Sequence, residues 1–182
     1  MSAVKKEYLP EYTYNDYINW EGDWELINGI AYAMAPSPIL THQAISSLLI
    51  QSLGGNLKEC KNCMVVSEMD YKLSNDTILR PDIALICGQK EGKYIKKSPE
   101  LIIEIVSQTS AKRDEEIKFD LYESEKIKYY ILLYPQDLKA KIYELQHNKY
   151  EKIVDILDGS FEFKDIECNA KIDFNFVFER FR

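Results

Sequence analysis

Two acidic residues stand where acids are costly. Glu104 interrupts Leu101-Ile102-Ile103-Glu104-Ile105-Val106, a β-branched run that reads as a strand buried on both faces. An unpaired carboxylate loses several kcal/mol on leaving water, so this position calls for a cation, strong hydrogen bonds or a raised pKa. Asp82 opens a second apolar strand, Ile83-Ala84-Leu85-Ile86-Cys87, and Lys118 lies beside the apolar stripe of the helical pattern that follows Glu104. Two acids and a lysine at buried edges suggest a hard-metal site. Mg²⁺ or Mn²⁺ takes oxygen ligands and keeps several waters, so Asp82, Glu104 and the carbonyl of Ile105 would suffice. Such a site can hydrolyse a phosphodiester: the ion neutralises charge on the phosphate, and a lysine beside the attacking water orients it.

The helix sets the lysine. Asp114, Lys118 and Tyr122 fall at i, i+4 and i+8, drifting about 40° per step, while Ile117 and Leu121 define the adjacent core stripe. Lys118 therefore borders the buried face. On the helix alone, a lysine snorkelling past apolar surface and paired with Asp114 accounts for the pattern. The two edge acids add the reason to place it in a site.

The elements that must position these residues can be read along the chain. Tyr12 to Trp20 predicts a short helix with Thr13 as N-cap. A hairpin follows, Trp24 to Ile27 and Ile30 to Met34 around Asn28-Gly29, and Ala35-Pro36-Ser37-Pro38 breaks its second strand. Thr41 to Glu59 has helical spacing. Met64 to Leu73 and Ile78 to Cys87 read as strands around a turn, Glu100 to Ser107 as the glutamate strand, and Ala111 to Ser124 as a helix capped within Gln108-Thr109-Ser110. Lys128 to Tyr134 is the next strand, and Lys139 to Gln146 pairs with Lys149 to Ile156 in a hairpin around His147-Asn148. Strand, helix and strand from Glu100 to Tyr134 make a βαβ candidate between antiparallel pairs, so the sheet should be mixed. At 182 residues one domain, 1–182, is the expectation.

Composition narrows the class. The sequence starts without an apolar leader and holds no apolar stretch near the ~20 residues of a membrane span, so a cytoplasmic protein is expected. The four cysteines (Cys60, Cys63, Cys87, Cys168) then read as reduced thiols rather than a disulfide framework. Cys60 and Cys63 have the CxxC spacing of half a zinc site or a redox pair. No second CxxC completes four ligands, and a plain helix-to-strand connection is the simpler reading. The formal charge of −7 argues against nucleic-acid binding by electrostatics alone, although Ile78 to Lys128 is balanced at 10 Lys+Arg and 10 Asp+Glu. Lys90, Lys93, Lys96 and Lys97 cluster between the two acid-bearing strands, and Arg80, Lys112 and Arg113 lie near the acids in sequence. They could meet a phosphate backbone, or simply form a solvated loop.

Four segments in this order, WELINGIAYAMAPSPILTHQ, RPDIALIC, ELIIEIVSQTS and RDEEIKFDLY, resemble the Uma-type putative restriction endonucleases of the PD-(D/E)xK nuclease superfamily. The resemblance runs from about Tyr12 to Tyr143. It implies an α/β fold with a restriction-endonuclease-like mixed central β-sheet flanked by helices, divalent-metal dependence, and DNA as substrate. Matched by position, the family's PD aspartate is Asp82, its strand glutamate Glu104, and its helix lysine Lys118, in a KxxxY pattern completed by Tyr122. The superfamily's usual lysine, two residues after the glutamate, is replaced by Val106, and the resemblance implies that the lysine has migrated to the helix. Glu25 matches a supporting acid of the ELIDG-like hairpin, and His42 matches the histidine after the PSP loop, where a helix-start histidine with ordinary partners is the competing reading. Gln108 stands where the family often has proline. A two-fold homodimer would suit double-strand cleavage. The competing class is a descendant without catalysis, a nuclease-fold binding or assembly module.

Overall fold

The computed structural model describes residues 10–34 and 39–182; the strand break at Ala35-Pro36-Ser37-Pro38 lies outside them. Helix α1 (Tyr14–Tyr17) is shorter than the sequence suggests, and Thr13 donates to Asp16 from both N and Oγ1 at 2.8 Å to close its first turn. The hairpin follows as β1 (Trp24–Ile27) and β2 (Ile30–Ala33). At its tip Asn28 and Gly29 hold φ of 49° and 77°, the left-handed pair that a type I′ turn requires. Helix α2 (Leu40–Gly55) buries Ile45, Leu48, Leu49 and Leu53 along one side.

Two expected strands are split. Met64 to Leu73 divides into β3 (Cys63–Ser67) and β4 (Tyr71–Lys72), with Glu68 at φ 50° in the break. Ile78 to Cys87 divides into β5 (Ile78–Leu79) and β6 (Ile83–Cys87) around Pro81, which has no N–H to give a ladder. Each split moves the chain between sheets. β1, β2, β4 and β5 form a four-stranded sheet in the order β2-β1-β5-β4.

Strand β7 (Leu101–Ile105) leads through a helical crossover, ending in α3 (Phe119–Ser124), to β8 (Tyr129–Tyr134), and the two strands pair in parallel. β9 (Lys139–Gln146) and β10 (Lys149–Ile156) form the expected hairpin. The six-stranded sheet runs β10-β9-β8-β7-β6-β3, antiparallel except at β7–β8. It is the mixed central sheet, flanked by helices. A separate pair, β11 (Ser160–Phe163) and β12 (Ala170–Asp173), leads into α4 (Phe174–Phe178).

The central sheet is buried on both faces. α2, α4 and β11–β12 cover one face, where Leu101, Ile103 and Ile105 meet Ile45, Leu49 and Phe174. The other face, carrying Ile102, Ala84 and Tyr130, lies under α3 and the four-stranded sheet. Because side chains alternate along a strand, Glu104 shares the face of Ile102 and meets α3.

The cysteines depart from the reading as reduced, unlinked thiols. Cys60 is bonded to Cys168 and Cys63 to Cys87. Cys63 and Cys87 are direct partners in the β3–β6 register, and the β11–β12 connection carries Cys168 to them. Sequence spacing carries no trace of contacts made across a sheet edge.

Candidate active site

Each acid reaches the site by a separate local rule. The β6–β7 register pairs Ile83 with Ile103, so Asp82 at the head of β6 stands opposite Glu104. Asp82 Oδ2 accepts the Ile105 N–H at 2.7 Å, and Glu104 Oε2 lies 3.4 Å from the Asp82 N–H. The two residues therefore cross-brace the strand ends. Glu25 comes from β1 in the other sheet and accepts the Arg80 N–H at 3.0 Å from the neighbouring β5–β6 connection.

The lysine arrives by a distortion. Arg113–Lys118 is a π-helical stretch that continues into α3. In a regular helix the i, i+4, i+8 series drifts about 40° per step, and the i→i+5 bonding of a π-turn takes up more residues per turn and reduces that drift. Asp114, Lys118 and Tyr122 consequently line up inward, exposed by 2%, 3% and 0%. Lys118 does not border the buried face; it is inside it. Nor does it snorkel: its Nζ lies 2.8 Å from Glu25 Oε1, 3.0 Å from Glu104 Oε1 and 3.5 Å from Asp114 Oδ1.

Tyr122 donates to the same Glu104 Oε1 at 2.9 Å. Arg113, noted in the sequence only for its nearness, has Nε 3.1 Å from Glu25 Oε2 without the direction of a hydrogen bond. Tyr130, not singled out within the expected Lys128 to Tyr134 strand, donates to the Asp114 carbonyl at 2.9 Å and braces the π-turn from β8. No local motif marks it; only the parallel pairing of β7 with β8 puts it there.

His42 sits in the first turn of α2, with Nε2 3.3 Å from Asp82 Oδ2 and its buried Nδ1 lacking a partner among the described residues. Asp82, His42 and Arg113, at 15%, 16% and 19% side-chain exposure, are the members of the group that reach solvent. Arg80 is committed elsewhere, to Asp70 at 2.8 Å and to Asp23.

Burial and mutual repulsion govern the charges. Burial holds the Glu104 carboxyl well above its ordinary range, Lys118 opposes this, and Asp114, Asp82 and Glu25 add to it. Asp114 is raised for the same reasons. Burial works against the Lys118 ammonium, but Glu104, Glu25 and Asp114 outweigh it and keep the lysine charged. Burial also works against charging His42, yet the Asp82 hydrogen bond and charge, with Glu68 and Asp114, raise its pKa overall.

The donor set fits a hard divalent cation. Glu104 Oε1 is taken by Lys118 and Tyr122, which leaves Oε2 with only the long Asp82 contact. Asp82 Oδ1 has no hydrogen bond or ion pair to a described residue, because His42 and Ile105 both use Oδ2. Four carboxylates (Glu25, Asp82, Glu104, Asp114) stand against two cations, Lys118 and Arg113, a formal excess of two negative charges with all four acids ionised and His42 neutral. Oxygen ligands and that excess suit Mg²⁺ or Mn²⁺ rather than a thiophilic metal.

A family described as "Uma2: Putative restriction endonuclease" matches residues 10–161. Among solved structures, the chain is similar to a protein described as a putative nuclease belonging to DUF820, from Anabaena variabilis ATCC 29413. The TM-score is 0.71 at 16% identity, covering 92% of this chain and 98% of that one, a likeness that shows the fold. No curated protein sequence matches the chain.

Proposed function

The chain belongs to the Uma2 family of putative restriction endonucleases, and from that premise we propose that it is a divalent-metal-dependent deoxyribonuclease acting at Asp82 and Glu104. The supporting observation is the register-opposed pair of carboxylates, Asp82 with Oδ1 free of contacts to described residues and Glu104 with Oε2 held only by the 3.4 Å Asp82 contact, backed by a buried ammonium on Glu104. Asp82 Oδ1, Glu104 Oε2 and the carbonyl of Ile105 would hold the ion. Bound there, Mg²⁺ or Mn²⁺ supplies Lewis-acid neutralisation at the phosphate and activates water.

The protein's own residues do the rest. Lys118 and Tyr122 fix Glu104 Oε1, so that Oε2 faces Asp82. With 3% exposure Lys118 acts through Glu104 as a positioning residue. Asp114 and Glu25 hold Lys118 in turn. Substrate would approach from the side where Asp82 and His42 meet solvent, and His42 would orient Asp82 through Nε2.

One observation favours a second reading, a metal-binding nuclease-fold module without catalysis. Arg80, Arg113 and Lys118 are all spent on internal carboxylates, which leaves few cations near the acids for a DNA backbone. The test uses supercoiled, linear and single-stranded DNA with Mg²⁺ and Mn²⁺, beside thermal melting with each metal. Metal-dependent cleavage abolished in both Asp82→Asn and Glu104→Gln supports the nuclease. Stabilisation by metal with no cleavage on any substrate selects the module. Wild type without either response, or cleavage surviving in both variants, overturns the proposed site.

A further inference from the structure

Far from the carboxylates, the four cysteines of the chain meet at one place. Cys60 lies in the connection after α2, where its N–H donates to the Leu57 carbonyl at 2.9 Å. Cys63 opens β3, Cys87 closes β6, and Cys168 sits in the β11–β12 connection. The sulfur atoms of Cys60, Cys63 and Cys168 all lie within 4.8 Å of one another, and those of Cys63 and Cys87 share a second group with a Glu167 oxygen. Cys63, Cys87 and Cys168 are 8%, 8% and 6% exposed.

Two separate disulfides describe this cluster incompletely. Cys63 Sγ touches Cys87 and also lies 3.1 Å from Cys168 Sγ, so one sulfur has two sulfur neighbours. A disulfide uses one; a shared metal draws every sulfur toward a common centre. The strand pairing of Cys63 with Cys87 also holds their Cα atoms 4.0 Å apart, closer than the roughly 4.4–6.8 Å that disulfides usually span. Zn–S bonds of about 2.3 Å in a tetrahedron set sulfurs about 3.8 Å apart, within the 4.8 Å envelope of Cys60, Cys63 and Cys168; Cys87, grouped with Cys63 but not with the other two, would have to swing toward them. Cys60 and Cys168 stand in connections, outside the strands, and can open to that spacing.

We infer that in the reduced chain Cys60, Cys63, Cys87 and Cys168 bind one zinc ion as a closed tetrathiolate. Thiolates select zinc over the hard cations suited to Asp82 and Glu104. Four sulfur ligands leave no open position, so the site is structural. The sequence lacks a second CxxC, and the fold supplies the missing half from the end of β6 and the β11–β12 connection. The ion would tie β11–β12 to the β3–β6 edge, beside the contacts of Asn56 Nδ2 with the Lys171 carbonyl at 3.2 Å and of the Asp173 N–H with Ser52 Oγ at 2.9 Å. Asn62, between the CxxC cysteines, holds the Glu167 carboxylate at the rim.

The experiment is metal analysis of the full chain purified under a thiol-specific reductant without chelators. One zinc per chain is expected, released when a mercurial titrates the thiols. Replacing that zinc with Co²⁺ should give the thiolate-to-cobalt charge-transfer and intense d–d bands of tetrahedral sulfur coordination. Cys168→Ser should weaken zinc retention against a chromophoric chelator by more than the roughly 10–100-fold that loss of an outer-shell partner already costs. Asp82→Asn should keep its zinc. Should Cys168→Ser fail to fold, the wild-type cobalt spectrum decides alone. A reduced chain that retains no zinc and gives no thiolate–cobalt bands overturns the inference. So does zinc lost in Asp82→Asn but kept in Cys168→Ser, or a mass four hydrogens short, with both disulfides intact, in chain purified under the reductant.

Discussion

Replacing Lys118 with methionine keeps a long, buried side chain and deletes the ammonium that touches Glu25 at 2.8 Å, Glu104 at 3.0 Å and Asp114 at 3.5 Å. Those carboxylates are 0%, 2% and 2% exposed, so none can rehydrate in place. Removing one partner of a buried ion pair costs about 3–5 kcal/mol because it strands the other charge, and a domain of this size loses ~2–4 °C per kcal/mol. The expected fall in melting temperature at neutral pH is therefore roughly 6–20 °C. With the ammonium gone, Glu104 and Asp114, already raised by burial and neighbouring acids, hold protons more readily. Their folded pKa rises above the unfolded ~4, so their contribution is present below the unfolded pKa and is lost as pH rises through the folded one. The gap between wild type and K118M should be small near pH 4.5 and widen toward neutrality. Metal-free thermal melts by circular dichroism across that range read it directly. A gap constant with pH, or below about 1 kcal/mol at neutrality, refutes the reasoning. If K118M does not fold at neutral pH, the double variant with Glu25→Gln removes one stranded charge and should recover part of the loss; no recovery counts equally against it.

Further outcomes follow from the same contacts. Tyr122→Phe removes one of two donors on Glu104 Oε1, and with Lys118 remaining it should cost about 1.5–3 kcal/mol by chemical denaturation. Glu104→Gln keeps an oxygen for Lys118 and Tyr122 while relieving repulsion from Asp82, Asp114 and Glu25. It should melt close to wild type without metal and show no stabilisation by millimolar Mg²⁺ or Mn²⁺, where wild type gains. Because Glu104 and Asp114 are both raised, metal-free wild type should itself lose stability as pH climbs above the ordinary carboxylate values of 4.5 and 3.8, and saturating Mg²⁺ should flatten that slope. A wild-type slope of opposite sign in urea titrations would locate the excess charge elsewhere.

Much of this arrangement was legible before the fold. The β-branched run around Glu104 carried its own burial, and Asn28-Gly29 its turn, because both depend on neighbours in sequence. Residues 139–146 and 149–156 form the hairpin read around His147-Asn148. What could not be read depends on distant chain. Lys118 passes as a snorkelling lysine until Glu25 arrives from the other sheet, and the π-turn that faces it inward leaves no mark in composition. The split at Pro81 had a local cause that an apolar run concealed. The cysteines are 24 and 108 residues apart within their pairs, separations over which spacing carries no geometric meaning.

The resemblance implies a lysine moved from the strand to the helix, and that can be tested from the strand. Val106 follows Glu104 by two residues, just past the end of β7, and packs in the same buried cluster as Ile102, so it lies on the side of Glu104, about 6.6 Å away along the chain. That distance is within reach of a four-carbon lysine stem, and Val106 is 9% exposed, near the rim of the buried face. An ammonium from position 106 and one from position 118 would thus converge on a single carboxylate, as the resemblance implies. The difference lies in what else each can touch. Lys118 also serves Glu25 and Asp114, which a strand lysine would leave stranded. Val106→Lys in the K118M background should therefore raise the melting temperature at neutral pH above that of K118M alone, reduce its loss with rising pH, and stop short of wild type. A double variant no more stable than K118M would mean that the strand position cannot deliver charge to Glu104, and that the two lysine positions are not interchangeable on this fold.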